Sequence, residues 1–305
     1  MDFRLTEDQR ALRRGVRELL ARLFDREALR AAVDARSLDR DLWRELGAAG
    51  FFALRLPEAE GGVGLGLPEA VLVFEEAGRV LLPGPLVSTH LAAGTVPGAA
   101  EGAVVVTGAS EGLVPWLDEA DVVVGDVSGA VPVRSVDPLT PLHRLPGTGG
   151  RAHPFLSQGL RPGGSPAAER LPTTAVLLTA AEQVGSAGAT TDMAVSHART
   201  REQFGQVVGG FQAVKHLCAG MLVRTELARA AVWAAAVTGE AVEIAGAKLL
   251  ADEAATRNAR DCLQVHGGMG FTWEADVHLH LKRAWVRAEL GMTVSQAEEA
   301  VAAAL

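Results

Sequence analysis

The chain has 305 residues, of which 48% are hydrophobic and 22% are charged, and its formal net charge is −8 at pH 7. These values are typical of a globular protein with a large core, and the length suggests about two compact units. The acidic balance excludes a nucleic-acid partner, which needs a basic patch, and no apolar run is long enough to span a bilayer.

Residues 1–98 predict an N-terminal helical domain. The chain begins MDFRLTED, which is too charged for a signal peptide and favours a cytoplasmic location. Thr6 followed by Gln9 predicts a capping box, and Leu12 and Val16 mark one apolar face of the helix that it begins. Further helices are predicted at residues 25–35, 38–49, 67–80 and 86–93.

Residues 99–172 predict a reduced middle β domain and a linker. Residues 103–107 and 122–125 are short valine-rich runs, which is the pattern of strands. Residues 137–172 are dominated by proline and glycine. That composition predicts a loop or connection without a packed element.

Residues 173–305 predict a C-terminal four-helix bundle, because alanine recurs at helical spacing and lets helices approach closely. Cys218 and Cys262 fall within these helices, so they are expected to be small core residues in a reducing cytoplasm. The predicted helices are 174–199, one that begins near Phe211, one that follows the turn at 238–239, and 274–290. The fold class is therefore mainly α (α+β).

Two polar segments lie at helix ends in this last region. The first reads RTREQFGQVVGGFQAVKH at residues 199–216, and the second reads QVHGGMGFTWE at residues 264–274. A third segment, at residues 56–66, reads LPEAEGGVGLG and follows the first helices. In this order the three segments resemble the acyl-CoA dehydrogenase family. The resemblance covers residues 1–100 and 170–292, and it implies the fold of that family.

The resemblance implies that FAD binds between subunits. Arg201 matches the arginine that pairs with the cofactor's pyrophosphate, a task for which a guanidinium fork is suited. A glycine at the second turn lets a backbone approach the cofactor. The alternative interpretation of Arg201 is a solvated charge, and that of Gln264 and Gly268 is a helix C-cap. The cofactor-binding positions implied by the family are Arg201, Gln203, Phe204, Val208, Phe211, Gln212, Gln264, Gly267 and Gly268.

The family's reaction is α,β-dehydrogenation of an acyl-CoA thioester, in which a glutamate removes the α-proton and the β-hydride passes to the flavin. The usual position of this base corresponds to Gly291. The alternative position, and the arginine that follows it in some members, fall on Ala175 and Val176. None of these residues is a base. Glu289 is a weak candidate that requires a shifted alignment.

Other polar residues can be interpreted as structural or as functional. Glu182 lies on an apolar helix, where a buried contact between helices is favoured over a substrate-cavity carboxylate. His216 and His266 are expected to be structural. His278 and His280 are two residues apart on a helix, so they face different directions and no metal site is predicted.

The sequence thus favours a subunit of a hetero-oligomer that supplies a flavin half-site to a catalytic partner. The expected partners are an acyl-CoA substrate and a second acyl-CoA dehydrogenase-like subunit or another copy of this chain. The family's flavin-cradling barrel, with its Thr-Glu-Pro loop and Trp-containing strand, is not recognisable in residues 99–172. An active homomeric enzyme with a displaced base and a non-enzymatic scaffold of the same fold remain as alternatives.

Overall fold

Two groups of helices are joined by a small β segment in a computed structural model, which describes residues 4–146 and 166–304. The first group consists of α1 Glu7–Leu23, α2 Arg26–Ala35, α3 Arg40–Ala48, α4 Leu67–Arg79 and α5 Leu86–Ala92. The capping box predicted at the start of α1 is confirmed, because Thr6 and Gln9 each accept a hydrogen bond from the other's backbone N–H. Trp43, Phe52 and Phe74 are fully buried in this group.

The middle segment forms two small sheets. Its strands are β1 Val106–Gly108, β2 Leu113–Pro115, β3 Val122–Val124, β4 Val131–Val133 and β5 Leu142–Arg144. β1 and β3 pair in parallel, and β5 lies between β2 and β4 in an antiparallel sheet.

The prediction that residues 137–172 lack a packed element is wrong for residues 137–145. β5 is the central strand of its sheet, and Asp137, Leu139 and Leu142 are buried. The strand has only three residues between prolines and glycines, so its pairing depends on distant strands and leaves no local pattern. Residues 147–165 of that prediction lie outside the described residues.

The second group of helices consists of α6 Pro166–Thr200, α7 Gln212–Thr238, α8 Ala241–His266, α9 Val277–Ala288 and α10 Val294–Ala302. α6 thus begins earlier than its predicted start at residue 174, and α9 begins later than its predicted start at residue 274. α10 was not predicted as a separate helix. It has its own capping box, formed by Thr293 and Gln296.

Helices α4 and α6 connect the two groups by close backbone contact. A Cβ atom added to Gly185 would lie 1.9 Å from the Glu75 carbonyl oxygen, and one added to Gly78 would lie 2.0 Å from that of Glu182. Only glycine fits at these two positions. Within the described chain, no helix combines the length and apolar character needed to cross a bilayer.

Candidate functional site

A tight hairpin follows α6 and presents the first polar segment at the surface. Its strands are β6 Glu202–Gln203 and β7 Gln206–Val207. Phe204 and Gly205 form the turn with φ of +53° and +78°, the left-handed pair that suits a two-residue hairpin. The Phe204 ring is 91% exposed and meets Phe211 edge-on, with ring centroids 6.2 Å apart. The hairpin therefore holds an aromatic side chain in solvent.

The second polar segment ends α8 and continues into a short 3₁₀ helix, Gly267–Phe271. Gln264, Gly267 and Gly268 are exposed, and a Cβ atom on either glycine would meet nothing within 4 Å. This turn therefore leaves its backbone open to an approaching molecule. Phe271, in the same turn, is 75% exposed.

The two segments meet at stacked histidines. His197, near the end of α6, and His266, at the end of α8, have ring centroids 4.1 Å apart and an interplanar angle of 24°. Burial lowers the pKa of His197, and the nearby His266 and Arg201 lower it further. The stack fixes the end of α6 against the end of α8.

A groove of about 770 Å³ lies beside this stack. It is lined by Arg201, His197 and His266, together with residues of α2 and the segment that follows Gly268. The α2 residues include Arg26 and Arg30, which both pair with Asp276. Arg201 itself is exposed. The lining carries three arginines and two carboxylates, Asp34 and Glu274, and a groove of this size with an exposed arginine suits a phosphate-bearing ligand.

The other positions implied by the family lie around this groove rather than in its lining. Gln203 and Gln212 are exposed, whereas Val208 and Phe211 are half-buried. The Gln203 amide donates a hydrogen bond to the neighbouring Glu202 carbonyl over 2.8 Å. Of the implied cofactor-binding residues, the groove lining itself includes Arg201.

A second, smaller cavity of about 110 Å³ lies inside the chain, between α5, α6, α9 and the β1–β2 turn. Ala175 and Gly291 both line it, so the two positions that the family resemblance predicts for the base converge on one place. A Cβ atom on Gly291 would lie 3.4 Å from Val176 Cα. Neither position supplies a carboxylate. Glu289 is exposed at the C-cap of α9 and is absent from the lining.

Gly291 is also covered by the β1–β2 turn. Its backbone N–H donates a hydrogen bond to Ser110 Oγ over 2.7 Å. No local sequence pattern indicates this contact, because 181 residues separate its partners. The turn and the C-terminal end of α9 are thereby held together at the site where the family's base would stand.

The ionised side chains of the inner cavity pair with one another. Arg287 Nη2 donates to Glu182 Oε1 over 2.6 Å, and Arg283 pairs with Asp137. All four residues are buried. Burial raises the pKa of Glu182, and Arg287 opposes that rise. Sequence reasoning found Glu182 but not Arg287. The arginines at 283 and 287 are one helical turn apart on an apolar face, a signal that could have found them.

The remaining histidines have separate surroundings. His278 stacks on Trp273 with centroids 4.9 Å apart, whereas His280 is buried and its Nδ1 lies 2.8 Å from Ser186 Oγ. Burial, together with Arg283 and Arg287, lowers the pKa of His280 to about 3. His216 is exposed near the start of α7.

Comparison with known families and proteins gives matches over most of the chain. Residues 6–102 match the family model "Acyl-CoA dehydrogenase, N-terminal domain", and residues 167–292 match "Acyl-CoA dehydrogenase, C-terminal domain". The chain is 36% identical to the acyl-CoA dehydrogenase IpdE2 of Mycobacterium tuberculosis over 93% of each sequence.

Solved structures with a similar fold include two that each name a pair of proteins. The steroid ACAD Tcur3481-Tcur3483 has a TM-score of 0.80 and 24% identity, with 97% of each chain covered. The ChsE4-ChsE5 complex from Mycobacterium tuberculosis has a TM-score of 0.77 and 24% identity, with 100% of this chain and 98% of that chain covered.

Proposed function

The chain belongs to the acyl-CoA dehydrogenase family, and from this premise we propose that it is a subunit of a hetero-oligomer that lends a flavin half-site to a catalytic partner. The family reaction is FAD-linked dehydrogenation of an acyl-CoA thioester. In this proposal the partner supplies the base, and this chain supplies contacts to one end of the partner's FAD.

One contrast within the chain carries the proposal. The polar residues of both flavin-type turns stand in solvent beside a groove of about 770 Å³. The position of the base, in contrast, is a glycine whose N–H bonds to Ser110. Residues that bind across an interface must be accessible, whereas a base must face an internal substrate cavity. Only the first requirement is met.

The residues present fit the dinucleotide end of FAD. Arg201 offers a planar fork of donors to a pyrophosphate. Gln203, Gln212 and Gln264 offer exposed amides, and Gly267 and Gly268 leave an open backbone. The half-buried Val208 and Phe211 offer apolar surface for the adenosine part. When bound, FAD would supply the acceptor for the substrate's β-hydride, and these residues of this chain would hold its phosphates in place.

The inner cavity does not fit the flavin ring. Its volume of about 110 Å³ is far below the ~300 Å³ at which pockets for larger organic ligands begin. Its carboxylate Glu182 is paired with Arg287. These features favour the half-site over an active homomeric enzyme with a displaced base.

Exposed apolar side chains favour a partner subunit over a free monomer. Phe204 and Phe271 project from the two turns, and Leu222, Val223 and Leu227 are exposed on α7. Exposed apolar groups that cluster on one element commonly mark a protein interface. The two assemblies named above each pair two proteins, ChsE4 with ChsE5 and Tcur3481 with Tcur3483. The cytoplasmic location stays a prediction.

The test is flavin content. The chain is purified alone and after co-expression with each full-length acyl-CoA dehydrogenase of its source organism, and visible absorption gives FAD per subunit. We expect no flavin in the chain alone and about one FAD per pair of subunits in a co-purified complex. Near-stoichiometric flavin in the chain alone would favour the homomeric enzyme. Absence of flavin under every condition would favour the non-enzymatic scaffold.

A further inference from the structure

Two arginines of α2 bind the segment that connects the second turn to α9. Arg26 Nη2 donates to the Glu274 carbonyl over 2.8 Å, and Arg30 Nη1 donates to the Trp273 carbonyl over 2.6 Å. Both guanidinium groups also pair with the Asp276 carboxylate, Arg26 through Nε over 2.6 Å. We call Arg26, Arg30 and Asp276 the arginine clamp. It attaches the chain at three positions within four residues to the N-terminal group of helices.

Helix α2 gives the clamp a fixed base. Arg26 and Arg30 are four residues apart, so their side chains lie on the same face of the helix. The opposite anchorage comes from Leu29 and Val33, which are buried in the core. Because α2 is packed in this way, the two guanidinium groups project from a rigid element toward the turn.

The turn itself has little that would fix its backbone. Gly267 and Gly268 are exposed, and glycine restricts the backbone less than any other residue. Its conformation therefore depends on how its two ends are attached. The upstream end is attached by the stack of His197 on His266, and the downstream end by the arginine clamp. A turn that is ordered before a ligand arrives avoids the conformational entropy cost of ordering on binding.

The clamp also fixes one wall of the large groove. Trp273 lines the groove, and its ring is stacked on His278, while Lys282 Nζ lies 4.8 Å from the ring centroid on α9. Arg30 binds the backbone carbonyl of the same residue. The ring of Trp273 is thus attached to α9 and its backbone to α2, so loss of Arg30 would release only the backbone.

The three arginines of the groove lining differ in their partners. Arg26 and Arg30 donate to carbonyl oxygens of the chain, and Asp276 offsets their charge. Arg201, in contrast, is exposed on the opposite side of the turn's histidine stack. A guanidinium that is bound to protein acceptors stabilises the protein's own conformation, whereas an exposed one can pair with phosphate oxygens.

We propose that Arg26 and Arg30 are positioning residues for the flavin half-site: the arginine clamp orders the turn at Gly267 and Gly268, so that its backbone is already in place for the partner's FAD. The N-terminal group of helices thereby sets the affinity for FAD without touching the cofactor. This inference rests on the proposed half-site, and it adds two residues outside both flavin-type segments.

The double change Arg26→Gln with Arg30→Gln tests the clamp in two preparations. In the isolated chain, the backbone amides of Thr272 and Ala275, which bond within the turn over 3.1 and 3.2 Å, should exchange hydrogen about tenfold faster. The midpoint of thermal unfolding should stay near that of the parent, because exposed ion pairs stabilise little. In the complex co-purified with the partner, FAD should dissociate with a constant about tenfold larger, measured by flavin fluorescence on dilution.

The matched control is Arg22→Gln with Arg36→Gln, which removes two exposed arginines at the ends of α1 and α2 that do not line the groove. It should leave both the exchange rates and the FAD dissociation constant at the parent values.

The outcomes separate this inference from the half-site on which it rests. A parent complex without flavin would overturn the half-site, and the role of the clamp with it. Faster exchange in the clamp variant with unchanged FAD affinity would overturn only the role of the clamp. Unchanged exchange, or equal losses in the control, would show that Arg26 and Arg30 do not order the turn.

Discussion

Helix α6 carries polar side chains in two different environments, one exposed to solvent and one buried. At its C-terminal end, Arg201 and the hairpin that follows are exposed. Midway along it, Glu182 is buried and paired with Arg287. An exposed arginine loses no hydration and stays available to a ligand, whereas a buried carboxylate is bound to its partner. The exposed groups therefore stay available to a molecule from outside, whereas Glu182 and Arg287 are paired with each other inside the fold.

The largest effect should come from breaking the inner pair. Glu182→Leu leaves Arg287 buried without its carboxylate, which should lower the free energy of unfolding by about 3–5 kcal/mol. Adding Arg287→Met should restore most of this loss, because two apolar side chains of similar volume replace the pair. Denaturant unfolding of the two variants measures both effects. A Glu182→Leu variant as stable as the parent would contradict the view that Arg287 depends on this carboxylate.

Acid should act on the interior through its histidines. Burial lowers the pKa of His280 to about 3 and that of His90 to about 4, below the ~6.5 of an unfolded chain. A lowered folded-state pKa gives stability that is complete above pH 6.5 and is lost as the pH falls toward those values. Between pH 7.5 and 5, each of these two histidines should lower the free energy of unfolding by about 2 kcal/mol.

The contribution of His280 is isolated by substitution. His280→Gln should reduce the loss of unfolding free energy between pH 7.5 and 5 by about 2 kcal/mol. His216→Gln changes an exposed histidine on α7 and serves as the control, with no change in this pH dependence expected. Equal pH dependence in the parent and the His280 variant would contradict a buried neutral imidazole.

Much of the fold could be predicted from the sequence because its signals are local. The capping box at Thr6 and the first five helices follow from patterns within a few residues. β5 could not be predicted, since its three residues are ordered by pairing with β2 and β4. The separate helix α10 lies in the C-terminal region that was predicted to be helical, but its Thr293 cap was overlooked.

The same distinction holds for the candidate sites. The two flavin-type turns are contiguous motifs, so their residues could be named from the sequence alone. The inner cavity depends on contacts between distant residues, such as Glu182 with Arg287, 105 residues apart, and Gly291 with Ser110. No periodicity or spacing reports such pairs.

At the exposed region, Arg201→Ala should weaken flavin retention in the assembled complex and leave the chain itself unchanged. Loss of a charge-assisted contact of about 1.5–3 kcal/mol corresponds to roughly tenfold to hundredfold weaker FAD binding. The unfolding free energy of the isolated chain should change by less than about 0.5 kcal/mol, because the side chain is exposed.

Arg199→Ala is the matched control for this change. Arg199 is an exposed arginine in the last turn of α6, so its removal alters the net charge equally. Flavin retention in the complex should then stay at the parent value. Equal losses in both variants would mean that general charge, rather than a fork on the pyrophosphate, holds the cofactor.

The smallest effect is expected for Glu289→Gln. Glu289 is exposed at the end of α9 and does not line the inner cavity, although its neighbours Leu290 and Gly291 do. In the assembled complex, turnover should be unchanged, and the free energy of unfolding should shift by less than about 0.5 kcal/mol. Gly291→Ala is the companion variant for the stability measurement. Because the backbone at Gly291 has φ of +80°, alanine should lower the free energy of unfolding by about 1 kcal/mol. A tenfold fall in turnover for Glu289→Gln, with folding and flavin content intact, would identify a base in this chain and remove the contrast between its two regions.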